Sequence, residues 1–188
     1  MSSLSTPVAA TTTWDLDPSH TSVHFSVKHL MIATVRGEFS KVAGTVTLDP
    51  QDMTRSSISA TIDAASVGTR DAQRDAHLRS PDFLDTEKFP TIEFRSTRVV
   101  RTAHGFDVTG NLTIRGVTRP VVLQVETGGT ELKDPFGNLK RGASATARIN
   151  RKDFGLQWNV ALEAGGFAVG DEVKIEIDVE LIGRAKAA

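Results

Sequence analysis

A period-two alternation of apolar and polar residues recurs along this chain and limits the folds that it can adopt. Successive side chains of a β-strand point to opposite faces of a sheet, so such alternation predicts a strand with one apolar face. The strictest example is EVKIEIDVELI, from Glu172 to Ile182. Seven further segments follow the same pattern: SVHFSVKH, the stretch from Thr34 to Leu48, SISATID, TIEFRST, GFDVTGNLTI, VVLQVET and ASATARI.

The stretch from Thr34 to Leu48 changes its parity once. Its apolar positions are odd up to Phe39 and even from Val42 onward, which indicates a β-bulge near Ser40–Lys41. Eight strands with one apolar face each are typical of antiparallel sheets. Their apolar faces can be buried between two packed sheets or inside one closed barrel. We therefore predict an all-β fold of eight strands.

One segment, GTRDAQRDAHLRSPDFLD, lacks the alternation. Thr69 can cap a short helix over Arg70–Arg79, and Ser80–Pro81 can begin a second turn. Leu78 and Phe83 in this segment could close one end of the strands. A further helical turn is expected near Val160–Ala164. The arginines of the helix and His77 would lie at the rim of that end, where they either meet a polar head group or form a solvated helix face.

The inward faces leave open whether a barrel would be filled or hollow. Ala143, Ala145 and Ala147 occupy successive inward positions of one strand and add little bulk. Protein interiors are close-packed, so small residues require large neighbours or an apolar guest. Both alternatives satisfy the sequence.

Composition and motifs exclude several kinds of function. The formal net charge is -1 and the chain has no cysteine, so we predict no nucleic-acid partner, no disulfide and no thiolate nucleophile. The sequence contains no G-x-S-x-G, P-loop or G-x-G-x-x-G motif. We predict no catalytic residues and no cofactor, and hence a protein that is not an enzyme.

Three histidines near the start do not predict a metal site. On a strand, His24 and His29 face opposite sides, and His20 would lie ~13 Å from His24. Metal ligands must lie within roughly 2.0–2.1 Å of one ion. We therefore assign no metal to them.

Residues 1–13 are rich in Ser, Thr and Ala and uncharged, without the basic and apolar regions of a signal peptide. We expect a disordered tail over 1–13 and a single domain over 14–188. No apolar stretch reaches the ~20 residues that cross a bilayer. We therefore expect a cytoplasmic protein.

Four stretches together resemble the YceI-like family: WDLDPSHTSVHFSVKHL with VRGEF, TRDAQRDAHLRSPDFLDTEKFPTIEFRST, GNLTIRGVTRPVVL and ARINRKDFGL. The resemblance runs from about Trp14 to Ile182. It implies a lipocalin-like, eight-stranded antiparallel β-barrel that holds a long isoprenoid chain, often as a homodimer. It favours the hollow alternative.

The resemblance also suggests which residues line the barrel and its helical lid. The ligand-binding residues that we predict are Phe25, His29, Gly37, Phe39, Leu78, Phe83, Phe94, Phe106, Leu112 and Ile114. The predicted function is a binding or carrier protein for an isoprenoid lipid such as a polyprenyl lipid or an isoprenoid quinone. Two alternatives stay open: an enzyme that acts on a small lipophilic substrate with His29 or His77 as base, and a filled barrel that serves as an interaction module.

Overall fold

The computed structural model describes residues 11–163 and 165–184. This part of the chain contains eleven β-strands and one α-helix, α1 (Ala72–Arg79). The strands are β1 (Thr12–Leu16), β2 (Ser22–His29), β3 (Ala33–Phe39), β4 (Val42–Leu48), β5 (Ser57–Asp63), β6 (Val67–Gly68), β7 (Thr91–Arg101), β8 (Phe106–Ile114), β9 (Val117–Lys133), β10 (Leu139–Asn150) and β11 (Val169–Gly183).

The eleven strands form the eight staves of a closed antiparallel barrel, where a stave is one strand or two strands that continue each other. β1 and β2 form one stave, because both pair with β11. β3 and β4 form the next stave, because β3 pairs with β2 and β4 pairs with β1. β5 and β6 form the third, and the remaining five strands complete the ring back to β11. The predicted eight-stranded antiparallel barrel is confirmed, and the sandwich alternative is wrong.

The parity change predicted at Ser40–Lys41 is the break between β3 and β4. The freed backbone there is not left unpaired, because the amide of Lys41 donates to Ser66 Oγ (3.2 Å). At the N-terminus, the predicted tail boundary is wrong. Thr12 and Thr13 belong to β1 and lie opposite Leu48 and Thr47 of β4. Residues 1–10 of the predicted tail lie outside the described residues.

The helical segment is present, but its first turn differs from the prediction. Asp71 caps α1, since its carboxylate accepts the amide hydrogen of Arg74 (3.0 Å). Thr69 instead donates its hydroxyl to the Asp75 carboxylate (2.5 Å). With its eight residues, α1 is too short to cross a bilayer, and within 11–163 and 165–184 no other α-helix exists that could.

The turn predicted near Val160–Ala164 is not helical in its described part. Ala161 pairs with Phe167 in an isolated antiparallel bridge, and Ala164 lies outside the described residues. The connection from β10 to β11 begins with a short 3-10 helix (Arg151–Phe154) and continues as a loop that folds back at the Ala161–Phe167 bridge. We call the end of the barrel with this loop, the β2–β3 turn and α1 the helix end. The opposite end, which carries the β9–β10 hairpin, is the far end.

Candidate functional site

A cavity of about 710 Å³ occupies the centre of the barrel. All eight staves contribute inward side chains, and most of these are aliphatic or phenyl groups. The helical segment adds Leu78, Phe83 and Leu84 at one end. The barrel is therefore hollow, and the filled alternative is wrong.

Small residues explain why space remains in the barrel. Ala143 and Ala145 of β10 line the cavity with single methyl groups, where larger side chains would reach toward the opposite wall. Two glycines act differently. A Cβ atom on Gly37 would overlap with the Phe25 ring, and one on Gly110 would overlap with the Phe94 ring. Both phenyl rings therefore lie against the wall instead of projecting into the centre.

Nine of the ten predicted binding residues lie on the cavity wall: Phe25, His29, Phe39, Leu78, Phe83, Phe94, Phe106, Leu112 and Ile114. Gly37 is the exception, because the Phe25 ring covers it. Its contribution is the room that it gives this ring. Contact of the nine residues with a ligand stays a prediction.

An aromatic cluster joins α1 to the loop between β10 and β11. The ring centroid of His77 lies 5.0 Å from that of Phe83 and 4.7 Å from that of Trp158, both in edge-on geometry. His77 Nε2 also pairs with Asp82 Oδ2 at 2.9 Å. These contacts hold the helix across the helix end as a lid. The sequence analysis missed Trp158, which lies outside any strand and carries no periodic signal.

Arg151 holds the same loop between β10 and β11 in place and also lines the cavity wall. Its side chain is 4% exposed and donates to the carbonyl groups of Leu156 (2.6 Å), Trp158 (2.9 Å) and Gly170 (2.8 Å). Burial lowers the pKa of this guanidinium, and Asp171 at 3.4 Å opposes the shift. Because its donors are used by backbone carbonyls, Arg151 shapes the site and has little capacity left for a ligand. Its position in the ARINRKDFGL stretch gave no hint of this role.

The charged rim predicted on the helix is only partly available to a ligand. Arg79 donates to the carbonyls of Ala65 (2.8 Å) and Val67 (2.7 Å), so it anchors the helix to the barrel. Arg74 lines the cavity, but two of its nitrogens are bonded to Thr69 (2.7 and 2.8 Å). Gln73, which is exposed, also lines this end.

The three N-terminal histidines do not converge. His29 lines the cavity, and His24 lies 3.7 Å from a carboxylate oxygen of Glu38. His20 lies beside Asp17 (3.0 Å) and Glu180 (3.5 Å), a set with the donor types of a cation site.

Lys140 already occupies the centre of that set. Its ammonium group lies 2.7 Å from oxygens of both Asp17 and Glu180. The hydrogen bond from Lys140 holds the pKa of Asp17 well below its usual range, with smaller contributions from His20 and Ser19. The same contacts raise the pKa of Lys140. The cluster therefore ties the end of β1 to β10 and β11 through ion pairs.

Comparison with known proteins supplies the family. A family model described as the YceI-like domain matches residues 14–181. A UPF0312 protein of Vibrio cholerae is 38% identical over 144 residues, which cover 76% of each chain. A UPF0312 protein of Staphylococcus aureus is 36% identical over 169 residues, or 90% of this chain and 96% of the relative.

Solved structures show the same barrel. The Campylobacter jejuni YCEI protein is 31% identical with a TM-score of 0.69, covering 84% of this chain and 90% of that one. Burkholderia cenocepacia BcnA has a TM-score of 0.74 at 23% identity, covering 88% and 98%. A polyisoprenoid binding domain from Saccharophagus degradans has a TM-score of 0.66 at 13% identity, covering 91% and 98%. The last two likenesses concern the fold alone. From the family model and the relatives above 30% identity, we conclude that this chain belongs to the YceI-like family.

Proposed function

We propose that this protein binds a long isoprenoid lipid, of the polyprenyl or isoprenoid quinone type, inside its barrel. The observation that carries the proposal is the apolar cavity of about 710 Å³ enclosed by a closed barrel. Small-molecule sites commonly measure about 300–1,000 Å³ and are lined mainly by apolar groups. The structurally similar domain from Saccharophagus degradans is described as polyisoprenoid binding, which supports the same class of ligand here.

Desolvation of the ligand tail would supply most of the affinity. Each CH₂ group that leaves water for an apolar wall contributes roughly 0.8 kcal/mol. The wall is held in place before binding by the closed ring of strands and by the His77–Trp158 contact at the lid. A preformed site loses less free energy to ordering when the ligand binds. Branched isoprene units suit a wall of Val, Ile, Leu and Phe side chains, which offers them contact without hydrogen bonds.

We also propose that the protein acts by binding and not by catalysis. His77, one candidate base, is held by Asp82 and packed between two aromatic rings. His29, the other candidate, forms no side-chain hydrogen bond with a nucleophile or carboxylate among the described residues. A general base needs a partner within about 2.6–3.2 Å in a productive complex. The variants His29→Ala and His77→Ala should therefore bind lipid as the parent protein does, and the lipid should be recovered chemically unchanged from all three proteins.

The decisive experiment is mass spectrometry of an organic extract from the purified protein. We expect an isoprenoid lipid in near-stoichiometric amount, and binding of added polyprenol by delipidated protein. Failure of both, in repeated preparations, would refute the proposal. If His29→Ala or His77→Ala instead accumulates an unconverted lipid that the parent protein alters, the chain is an enzyme.

Two further expectations carry their own tests. If the protein is the homodimer predicted from the family resemblance, light scattering should give a molar mass of twice the chain mass of 20.3 kDa. The predicted cytoplasmic location requires that the protein partitions with cytoplasmic markers when cells are fractionated.

A further inference from the structure

The helix end exposes an apolar patch, which we call the helix-end patch. It consists of Leu30, Met31 and Ile32 in the β2–β3 turn and Val160 and Phe167 in the β10–β11 loop. Ile32 is 85% exposed and Met31 is 70% exposed. The two segments are joined, since the amide of Leu30 donates to the carbonyl of Ala168 (2.8 Å). The patch is therefore one continuous surface, built on two neighbouring turns.

The backbone conformation of the β2–β3 turn is unfavourable for the large residues that occupy it. Leu30 and Met31 have positive φ angles of 50° and 63°, and the amide of Ile32 donates to the carbonyl of His29 (3.2 Å). A turn whose two central residues both have positive φ favours Asn-Gly there, because larger L-residues are strained at positive φ. A polar pair would be both less strained and more soluble. Large apolar side chains at such a place indicate a use that requires their exposure.

The patch lies beside an opening of the cavity. Exposed residues Lys28, Asp71 and Gln73 line the cavity at the helix end. Both segments of the patch continue directly into the cavity wall. Lys28 lies two residues before Leu30, and the cavity residue Val169 lies two residues after Phe167. An apolar molecule that moves through this opening would therefore meet the patch at once.

The exposed area of the patch and the charges around it favour a bilayer surface over a protein partner. Five partly exposed side chains present less area than the roughly 800 Å² that a stable protein interface buries on each partner. A shallow patch of this size suits a bilayer surface, into which apolar side chains insert by ~5–10 Å. Two ammonium groups flank the patch, on Lys28 and on Lys152, whose Nζ lies 5.7 Å from the centre of the Phe167 ring. The Lys152 ammonium is already paired with Asp171, whose Oδ2 lies 2.9 Å from its Nζ. Glu163, exposed on the same loop, offsets part of the remaining positive charge.

We propose that the helix-end patch docks on a phospholipid bilayer and turns this opening of the cavity toward the membrane. Met31, Ile32 and Phe167 enter the interfacial region, while Lys28 meets phosphate groups. The five residues of the helix-end patch lie outside the cavity wall, and docking does not depend on which ligand the barrel holds. Binding occurs to zwitterionic vesicles and increases modestly with anionic lipid, because Asp171 and Glu163 reduce the net positive charge.

The far end supplies a matched control. Leu132 (68% exposed) and Phe136 (90% exposed) lie on the β9–β10 hairpin and are as apolar and as exposed as the patch residues. Charged residues accompany them there, namely Glu131, Lys133 and Asp134. Replacing them therefore removes similar apolar area from the end of the barrel that is opposite the patch.

The experiment is flotation of the full chain with vesicles of phosphatidylcholine, with and without a minor fraction of phosphatidylglycerol. The double variant Met31→Ser/Ile32→Ser should lose vesicle binding by at least about tenfold, given the apolar area removed. The control Leu132→Ser/Phe136→Ser should bind as the parent protein does. Met31→Gly should bind vesicles less while its thermal midpoint rises, since glycine relieves the positive φ.

Several outcomes would overturn the proposal. These are a parent protein that does not float with either vesicle, equal losses for the patch and control variants, or unchanged flotation of Met31→Ser/Ile32→Ser. If light scattering shows that this double variant dissociates a dimer, the patch binds a second copy and not a membrane. Polyprenol binding by the delipidated patch variant should stay normal, which separates this result from a failure of the lipid-binding function.

Discussion

A phenyl ring placed in the middle of the cavity should weaken lipid binding strongly while the barrel stays folded. Ala145 on β10 is 8% exposed, lies between Val125 and Ile177 of the neighbouring strands, and lines the cavity. The change Ala145→Phe adds about six carbon atoms to the centre, and these exclude a similar number of ligand carbons. At roughly 0.8 kcal/mol for each carbon, up to about 5 kcal/mol of binding free energy is lost.

That free energy corresponds to a loss of affinity of three to four orders of magnitude. If half of the displaced carbons find other room in the cavity, the loss is still roughly fiftyfold. Stability should change by less than about 3 kcal/mol, because the ring fills space instead of overpacking a closed core. Ala143→Phe, two residues earlier on the same wall, should behave in the same way.

The assay is equilibrium binding of a radiolabelled polyprenol to delipidated protein, together with thermal unfolding. Ala43→Phe is the control, because Ala43 is exposed on the outer face of β4 and receives the same ring. We expect its affinity to stay within about threefold of the parent value. Undiminished binding by a folded Ala145→Phe would show that the lipid does not occupy the barrel interior.

Three further predictions concern stability. Arg151→Met should lower the free energy of unfolding by about 3–5 kcal/mol, measured by denaturant titration, since three part-buried carbonyls lose the buried Arg151 donor; a loss below 1 kcal/mol would contradict the role of Arg151 as an anchor. Asp17→Asn should lower it by about 1–3 kcal/mol at neutral pH. The pKa of Asp17 is depressed in the folded state, so its contribution is present above the ordinary carboxyl pKa of about 4 and is lost as the pH falls below it. The difference between Asp17→Asn and the parent should therefore shrink in acid, and a constant difference would refute the ion pair with Lys140. Thr21→Val should be neutral or stabilising by up to about 1 kcal/mol, because the buried Thr21 hydroxyl has no hydrogen-bond partner among the described residues; a clear loss of stability would show that the hydroxyl has a partner.

The alternation of side chains determined the strands and their faces. Ile175 and Ile177 point inward and Glu176 outward because a pleated strand allows only these two directions. The parity change at Ser40–Lys41 is equally local, since one extra residue reverses every later side chain. The sequence therefore determined the number of staves and the position of the break between β3 and β4, and the family resemblance added ten predicted wall residues, of which nine lie on the wall.

The capping residue of α1 shows where local reasoning fails. Thr69 and Asp71 are both good caps by residue type. Thr69 is drawn away by Arg74 and by the Asp75 carboxylate, which leaves Asp71 to cap the helix. Competition between neighbours that only the folded chain brings together decided this outcome.

Tertiary structure alone decided whether the barrel is hollow and what its helix end presents. Whether Ala143 and Ala145 face empty space or a large neighbour depends on which side chains lie across the barrel. The distance to that opposite wall is set by the pairing of strands that are distant in sequence. Gly37 was predicted on the wall, but the Phe25 ring from the adjacent strand covers it. Arg151 and Trp158 have no periodic signal, because their partners are backbone carbonyls and aromatic rings from other segments. The sequence by itself determines the direction of each strand side chain, whereas volume and contact are properties of the closed ring.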